Sequence, residues 1–193
     1  MNIVQRDQKV KLSDLLPDFE VLKVGLGWKV DASGEEFDLD ASAFMLTHDN
    51  QVRNKKDFVF YNNLSDISGV LQHSGDNVTG GEGDCEQITV NMKAVPPEIG
   101  HITFVVTIHK ALERQQTFGR VNDAYIRVVD AKTGKEILRY NLEKEFYSAT
   151  SVVIADIAKF NNEWYFDAVG VPFSGGLEAI ANDFDLDLTK KMI

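Results

Sequence analysis

Cysteine, basic side chains and long apolar runs are all scarce in this chain of 193 residues. The single cysteine, Cys85, excludes an internal disulfide and fits a reducing compartment. The chain has 20 Lys and Arg against 30 Asp and Glu, a net charge of −10. This balance argues against a nucleic-acid-binding protein, which needs a basic face to neutralise phosphates. No apolar run approaches the ~20 residues of a membrane span.

These shortages restrict the location and the partners of the protein. The first residues contain no apolar region of the signal-peptide type, so we expect a cytoplasmic protein with no transmembrane segment and no nucleic-acid partner. An apolar content of 44% over 193 residues is sufficient for one buried core. The sequence therefore predicts a single domain over residues 1–193.

Short apolar runs with the period of β-strands account for most of the chain. They are rich in Val, Ile, Phe and Tyr, and turn residues separate them at regular spacing. One helix is predicted at about Leu177–Phe184, and Lys110–Phe118 is either a short helix or an ordered loop. The pattern predicts a mainly β protein, an antiparallel β-sandwich of about 8–10 strands with a short C-terminal helix. The predicted strands are Val21–Leu26, Ser42–His48, Phe58–Tyr61, Gln87–Met92, Ile102–His109, Ala124–Val129, Glu136–Leu142, Ser151–Ala158 and Glu163–Val171.

The segment Gly75–Glu86 is the most informative stretch of the sequence. Its twelve residues include four carboxylates, four glycines, an Asn amide and a Thr hydroxyl, and no cation. Ca²⁺ in proteins takes about 6–8 oxygen ligands in a flexible geometry, and glycines allow one short segment to wrap around an ion. The segment is therefore either a Ca²⁺ site or an acidic loop that is simply solvated.

A second acidic motif is Asp38-Leu39-Asp40, at the start of a predicted strand. Strand alternation places both carboxylates on one face, where they repel each other unless they share a cation or lie at a solvent rim. Between Val30 and Met92 the chain has twelve acids and three bases, so this third carries a net charge of −9 out of −10. Such crowding favours a shared cation, with ligands gathered from both motifs.

The sequence also resembles the TerD/TerE family of tellurium-resistance and general-stress proteins. The resemblance runs nearly from end to end of the chain. It is carried by Val24–Trp28, Phe37–Phe44, Phe58–Asn63, Ser74–Gly80, Phe104–His109, Gln116–Val121 and Gly175–Leu177.

This resemblance implies a cytosolic β-sandwich that binds two Ca²⁺ ions through acidic loops and has no established enzymatic activity. It also implies a link to tellurite and oxidant resistance, with other stress or tellurium-resistance proteins as partners and possible peripheral association with a membrane. The metal ligands that it implies are Asp38, Asp40, Asp76, Asn77, Asp84 and Glu86, with Glu82 as a seventh choice.

The acidic loop departs from the family pattern at Cys85, where relatives usually have a third acid in the run. The loop is also one residue shorter between Gly80 and Asp84. If residues 84–86 are extended, alternation places Asp84 and Glu86 on one face and Cys85 on the other, and the departure costs no ligand. If Cys85 points inward, one site is weakened, because a thiol is a poor ligand for Ca²⁺.

The functional hypothesis is a Ca²⁺-binding stress-response module in which the ion orders the acidic loop. The ordered surface then recruits a protein partner or an anionic membrane surface. Two alternatives stay open. One is a metal-dependent phosphoesterase, although the sequence shows no basic phosphate-binding cluster near the acids. The other is an oligomeric scaffold in which Ca²⁺ is purely structural.

Overall fold

A computed structural model of the protein describes residues 2–29, 37–142 and 146–188. Thirteen β-strands are the main regular structure of this part of the chain. They are β1 Asn2–Val4, β2 Lys9–Lys11, β3 Val21–Lys29, β4 Leu39–Thr47, β5 Phe58–Val59, β6 Leu71–His73, β7 Glu86–Asn91, β8 Ile99–Ile108, β9 Asn122–Asp130, β10 Glu136–Asn141, β11 Ser151–Phe160, β12 Glu163–Asp167 and β13 Val171–Phe173. The α-helices are α1 Leu12–Leu15, α2 Ala111–Arg114 and α3 Gly176–Asp183. Three acids counted above, Asp31, Glu35 and Glu36, lie outside the described residues.

The strands form two sheets. The first, sheet A, has six strands in the order β1-β10-β9-β3-β7-β6. The second, sheet B, has the order β2-β12-β11-β8-β4-β5, and β13 pairs with β11 beside it. The pairing of β1 with β10 is parallel, and the other strand pairings among the described residues are antiparallel.

The main hydrophobic core lies between the two sheets. Strand β7 shows why, because Glu86, Ile88 and Val90 are buried while the residues between them are partly exposed. This alternation directs one face of sheet A toward sheet B and the other toward solvent. Strand β4 is different, since it is buried from Leu39 to Leu46 on both faces. A strand with two buried faces needs a layer on each side.

Helix α3 supplies that extra layer over the outer face of sheet B. A second, smaller cluster of buried side chains lies between the helix and the sheet, and it includes Phe44, Phe58, Val105, Val153, Ile180 and Ala181. The rings of Phe44 and Phe58 stack with their centroids 4.3 Å apart, and the ring of Phe184 lies 5.1 Å from that of Phe44. The fold is therefore a sandwich with a helical third layer at one place.

The prediction of a mainly β sandwich with a short C-terminal helix is confirmed. The number of strands was underestimated, because β1, β2, β6 and β13 have three residues each and show no readable alternation. The predicted strand Glu163–Val171 is two strands, and Gly170 between them has a φ of +61° that a continuous strand does not allow. The region Lys110–Phe118 contains α2. Within the described residues, no helix has the length and apolar character to cross a membrane.

Candidate metal centre

Three carboxylates from two segments meet at one end of the sandwich. Asp38, Asp40 and Asp76 each offer an oxygen atom, and these oxygens all lie within 4.8 Å of one another. Asp40 belongs to β4 and Asp38 immediately precedes that strand, so the two-residue spacing brings both to one face. Asp76 comes from the loop between β6 and β7. We refer to these three residues as the acidic triad.

Burial makes this grouping electrostatically unfavourable. Asp38 and Asp40 are 6% and 7% exposed, whereas Asp76 is exposed. Burial and the neighbouring carboxylates, that of Glu86 first among them, together raise the pKa of Asp40 to about 8. Burial also raises the pKa of Asp38, against the opposing charge of His109. The buried Oδ1 of Asp38 has no hydrogen-bond partner.

The triad fits a hard divalent cation. A buried carboxylate oxygen without a donor is costly, and crowded carboxylates repel one another. A cation bound to the triad would relieve both costs. Oxygen ligands from a buried strand start and an exposed loop are typical of Ca²⁺, which accepts flexible geometry and completes its shell with backbone oxygens and water.

Glu86 lies beside the triad but is not one of its members. Its side chain is buried, and Oε2 accepts a hydrogen bond from the Ala41 N–H at 2.6 Å. Oε1 accepts one from the Asn77 N–H at 3.2 Å. Both carboxylate oxygens of this predicted ligand are therefore bonded to the backbone of the two segments that form the triad.

Asn77 and Glu82, two further predicted ligands, also lie outside the triad. The Oδ1 of Asn77 accepts hydrogen bonds from the N–H groups of Thr79 and Gly80 at 3.1 and 3.2 Å, so this amide shapes the loop as an Asx turn. Glu82 is exposed and lines a separate cavity next to Lys29.

Asp84 lies on the face of sheet A opposite to the one that carries Glu86. Its Oδ1 accepts hydrogen bonds from Arg127 Nε at 2.7 Å and Tyr125 Oη at 3.2 Å, and its side chain is 2% exposed. A Cβ on Gly25 would lie 2.2 Å from Asp84 Oδ2, so any other residue there would displace the Asp84 carboxylate. Gly25 pairs with Gln87 of the neighbouring strand, and paired residues lie on the same face of a sheet. Asp84, which lies against Gly25, is therefore on the face of Gln87 and not on that of Glu86.

Of the two alternatives for residues 84–86, the one in which Asp84 and Glu86 share a face therefore does not hold. Strand β7 begins only at Glu86, so residues 84–86 do not alternate as a strand. Cys85 is half-buried outside the triad, with Sγ 3.8 Å from the Trp28 carbonyl oxygen. Burial raises the pKa of its thiol, which opposes thiolate chemistry. Among the described residues, the triad is the one group of three or more side chains that could hold a metal ion, and the second expected ion stays a prediction.

Two residues that the sequence did not single out contribute to this end of the molecule. Tyr61 lines a cavity of about 310 Å³ next to Asp40, together with Thr107, His109 and Lys110. His73 is buried, and its Nε2 lies 3.5 Å from Glu86 Oε2. Neither has a sequence signal, because both reach the site through long-range packing.

Comparison with known proteins assigns nearly the whole chain to one family. The model of the TerD domain family matches residues 1–184. The chain belongs to the TerD domain family. General stress protein 16U of Bacillus subtilis (strain 168) is 42% identical over 186 residues, covering 95% of this chain and 96% of that protein. Tellurium resistance protein TerD of Serratia marcescens is 42% identical over 180 residues, covering 92% and 94%.

A solved structure confirms the TerD domain fold. The crystal structure of a homologue of telluride resistance protein (TerD) from Streptomyces coelicolor A3(2) superposes with a TM-score of 0.70 at 20% identity, covering 85% of this chain and 96% of that one. By its family match and its relatives, the chain belongs with tellurium-resistance and stress-response proteins, as the sequence resemblance predicted.

Proposed function

We propose that this protein is a Ca²⁺-binding module of the stress response and acts by binding rather than by catalysis. The observation that carries the proposal is the acidic triad, in which two buried carboxylates and one exposed carboxylate converge and a buried Asp38 oxygen has no partner. The family supplies the context, since relatives are named for tellurium resistance and general stress.

Ca²⁺ at the triad would join the β6–β7 loop to the start of β4. The ion would neutralise charge concentrated at this end of an acidic chain and order the segment after Asp76. The ordered surface would then recruit another stress or tellurium-resistance protein, or an anionic membrane surface. A rise in melting temperature with Ca²⁺ but no gain in partner or liposome binding would instead favour a structural ion in a scaffold.

A metal-dependent phosphoesterase is the second candidate. The observation in its favour is that His109 and Lys110 line the cavity beside Asp40, where cationic side chains could hold a phosphate ester. Turnover of a phosphate ester that requires a divalent metal and disappears in Asp40→Asn would support this candidate over a binding module.

Calorimetric titration of Ca²⁺ into Asp76→Asn tests the proposed site. We expect the affinity to fall at least roughly tenfold, about 1.4 kcal/mol, because the variant loses the charged ligand from the loop. Glu82→Gln is the matched control, since Glu82 is an acid of the same loop that lies outside the triad, and its affinity should match the wild type. Absence of Ca²⁺ binding to the wild-type protein, or equal losses in both variants, would contradict the assignment.

Ca²⁺ affinity should increase with pH up to about pH 8 and level off above it, because the pKa of Asp40 is raised to about 8 and Ca²⁺ binds the deprotonated carboxylate. The affinity should change by up to about tenfold per pH unit for one proton released.

The stability of the Ca²⁺-free protein should change with pH in the opposite direction. The native state holds a proton that the unfolded chain releases above about pH 4, so unfolding becomes easier as the pH rises to about 8.

Titrations in buffers of different ionisation enthalpy measure the proton release directly. Binding should release close to one proton at about pH 6 and close to none at about pH 9. Asp40→Asn removes the titrating group and should flatten the profile. A wild-type affinity that is constant over this range would show that Asp40 is already ionised.

A further inference from the structure

The edge of β4 next to the acidic triad is completed by side chains rather than by a strand. Strand β5 pairs with Ala43 and Phe44 only. Ala41, two residues earlier, directs its N–H and C=O toward the same edge. Its N–H donates to Glu86 Oε2 at 2.6 Å, and its carbonyl oxygen lies 3.0 Å from His73 Nε2. Two side chains from sheet A thus satisfy both backbone groups of the residue that follows Asp40.

The same two side chains hold the loop on either side of Asp76. The N–H of Gly75 donates to His73 Nδ1 at 3.0 Å, and the N–H of Asn77 donates to Glu86 Oε1 at 3.2 Å. Because Nδ1 accepts a hydrogen bond, the ring proton is on Nε2, where it can be donated to the Ala41 carbonyl oxygen. Both side chains are 0% exposed.

We propose that His73 and Glu86 are positioning residues that set the geometry of the metal centre. The inference rests on the proposed function, since it concerns the same site. We call the pair the His73–Glu86 clamp. Four hydrogen bonds connect the clamp to Ala41, Gly75 and Asn77, which are the chain neighbours of Asp40 and Asp76. The clamp therefore fixes the loop ligand against the strand ligand.

The clamp has a physical task in the metal-free protein. Three carboxylates whose oxygens lie within 4.8 Å repel one another, and Asp76 is on an exposed loop that repulsion would displace. Partly buried hydrogen bonds to the flanking amides oppose that displacement and keep the ligands together before the ion arrives. Such preorganisation raises affinity, because less ordering remains to be done on binding.

Ca²⁺ titration and amide exchange of Glu86→Gln and His73→Phe test the clamp. Gln keeps the shape of Glu86 but has only one acceptor oxygen, and Phe keeps a ring without nitrogen atoms. Each variant should bind Ca²⁺ about 10–100-fold more weakly than the wild type, the range typical of groups that orient metal ligands. In the metal-free protein, amide exchange at Gly75 and Asn77 should become faster.

Asp130→Asn is the control for a general loss of stability. Asp130 is a buried carboxylate that accepts a hydrogen bond from the Lys132 N–H in the β9–β10 turn, remote from the triad. It should keep wild-type Ca²⁺ affinity. All titrations are run well below the melting temperature of each variant. If Glu86→Gln does not fold, the Ca²⁺ affinity and amide exchange of His73→Phe test the clamp.

The outcomes separate the clamp from the proposed function. No Ca²⁺ binding by the wild-type protein refutes the proposed function. Wild-type binding with unchanged affinity in a folded clamp variant refutes the clamp alone. Weaker binding in Glu86→Gln, with neither faster loop exchange nor an effect of His73→Phe, would make Glu86 a ligand and also refute its positioning role.

Discussion

Replacing Arg127 by Met should lower the free energy of unfolding by about 3 kcal/mol, the lower end of the cost of removing one partner from a buried ion pair, because the Asp84 side chain is buried but Arg127 is partly exposed. Arg127 Nε donates to Asp84 Oδ1 at 2.7 Å, and Nη1 donates to Glu136 Oε2 at 2.9 Å. The variant leaves the Asp84 carboxylate, 2% exposed, without its cation. Arg139 still compensates Glu136, so the penalty falls on Asp84.

Denaturant unfolding of Arg127→Met against Lys29→Met measures this penalty. Lys29 pairs with Asp123 at 2.6 Å on the same sheet, but both side chains are exposed and screened by solvent, so its loss should cost much less than the loss of Arg127. Adding Asp84→Leu to Arg127→Met should recover part of the loss, because the unpaired charge is gone. Similar costs for the two single variants would mean that Asp84 is solvated and that burial does not make this pair important.

Phe44→Ala should destabilise the protein by about 3–5 kcal/mol and detach helix α3 from sheet B. Phe44 is 0% exposed and contacts Phe58 and Phe184 in the second core. Because that core is small, the cavity left by the missing ring removes much of what holds the helix. Relative to the wild type, amide exchange should accelerate more in α3 than in the central strands.

Phe160→Ala is the matched control for Phe44→Ala. Phe160 is 63% exposed at the turn between β11 and β12, so its loss should change stability by no more than about 0.5 kcal/mol. Exchange rates in α3 that stay at wild-type values in Phe44→Ala would show that the helix is held by other contacts.

The sequence predicts what local chemistry determines. Asp38 and Asp40 follow from strand alternation, and Asp76 from the concentration of acids and glycines in its loop. The sandwich follows from the alternation of apolar residues and the helix from its pattern near the C-terminus. These features depend on residues a few positions apart, which is the range over which backbone periodicity acts.

Where the structure departs from the expected grouping of ligands, contacts with distant segments or within the loop itself decide. Asp84 looks like a ligand by its neighbours, but Arg127, 43 residues away, fixes it on the other face of the sheet. Glu86 bonds backbone amides because β5 ends before it reaches Ala41. Asn77 could bind an ion or its own loop, and the amides of Thr79 and Gly80 take its oxygen. No local pattern distinguishes these alternatives.

The positions of the clamp's hydrogen bonds divide the β6–β7 loop into two parts with different tolerance to change in length. Gly75 and Asn77 are hydrogen-bonded to the clamp, and Glu86 is part of it. Gly80 and Gly83, both with positive φ, form a tip that supplies no member of the triad. Insertions or deletions in the tip therefore leave the spacing of the ligands intact. Under the proposed function, the outer surface of this loop could therefore change in length and sequence without moving the carboxylates that would hold the ion.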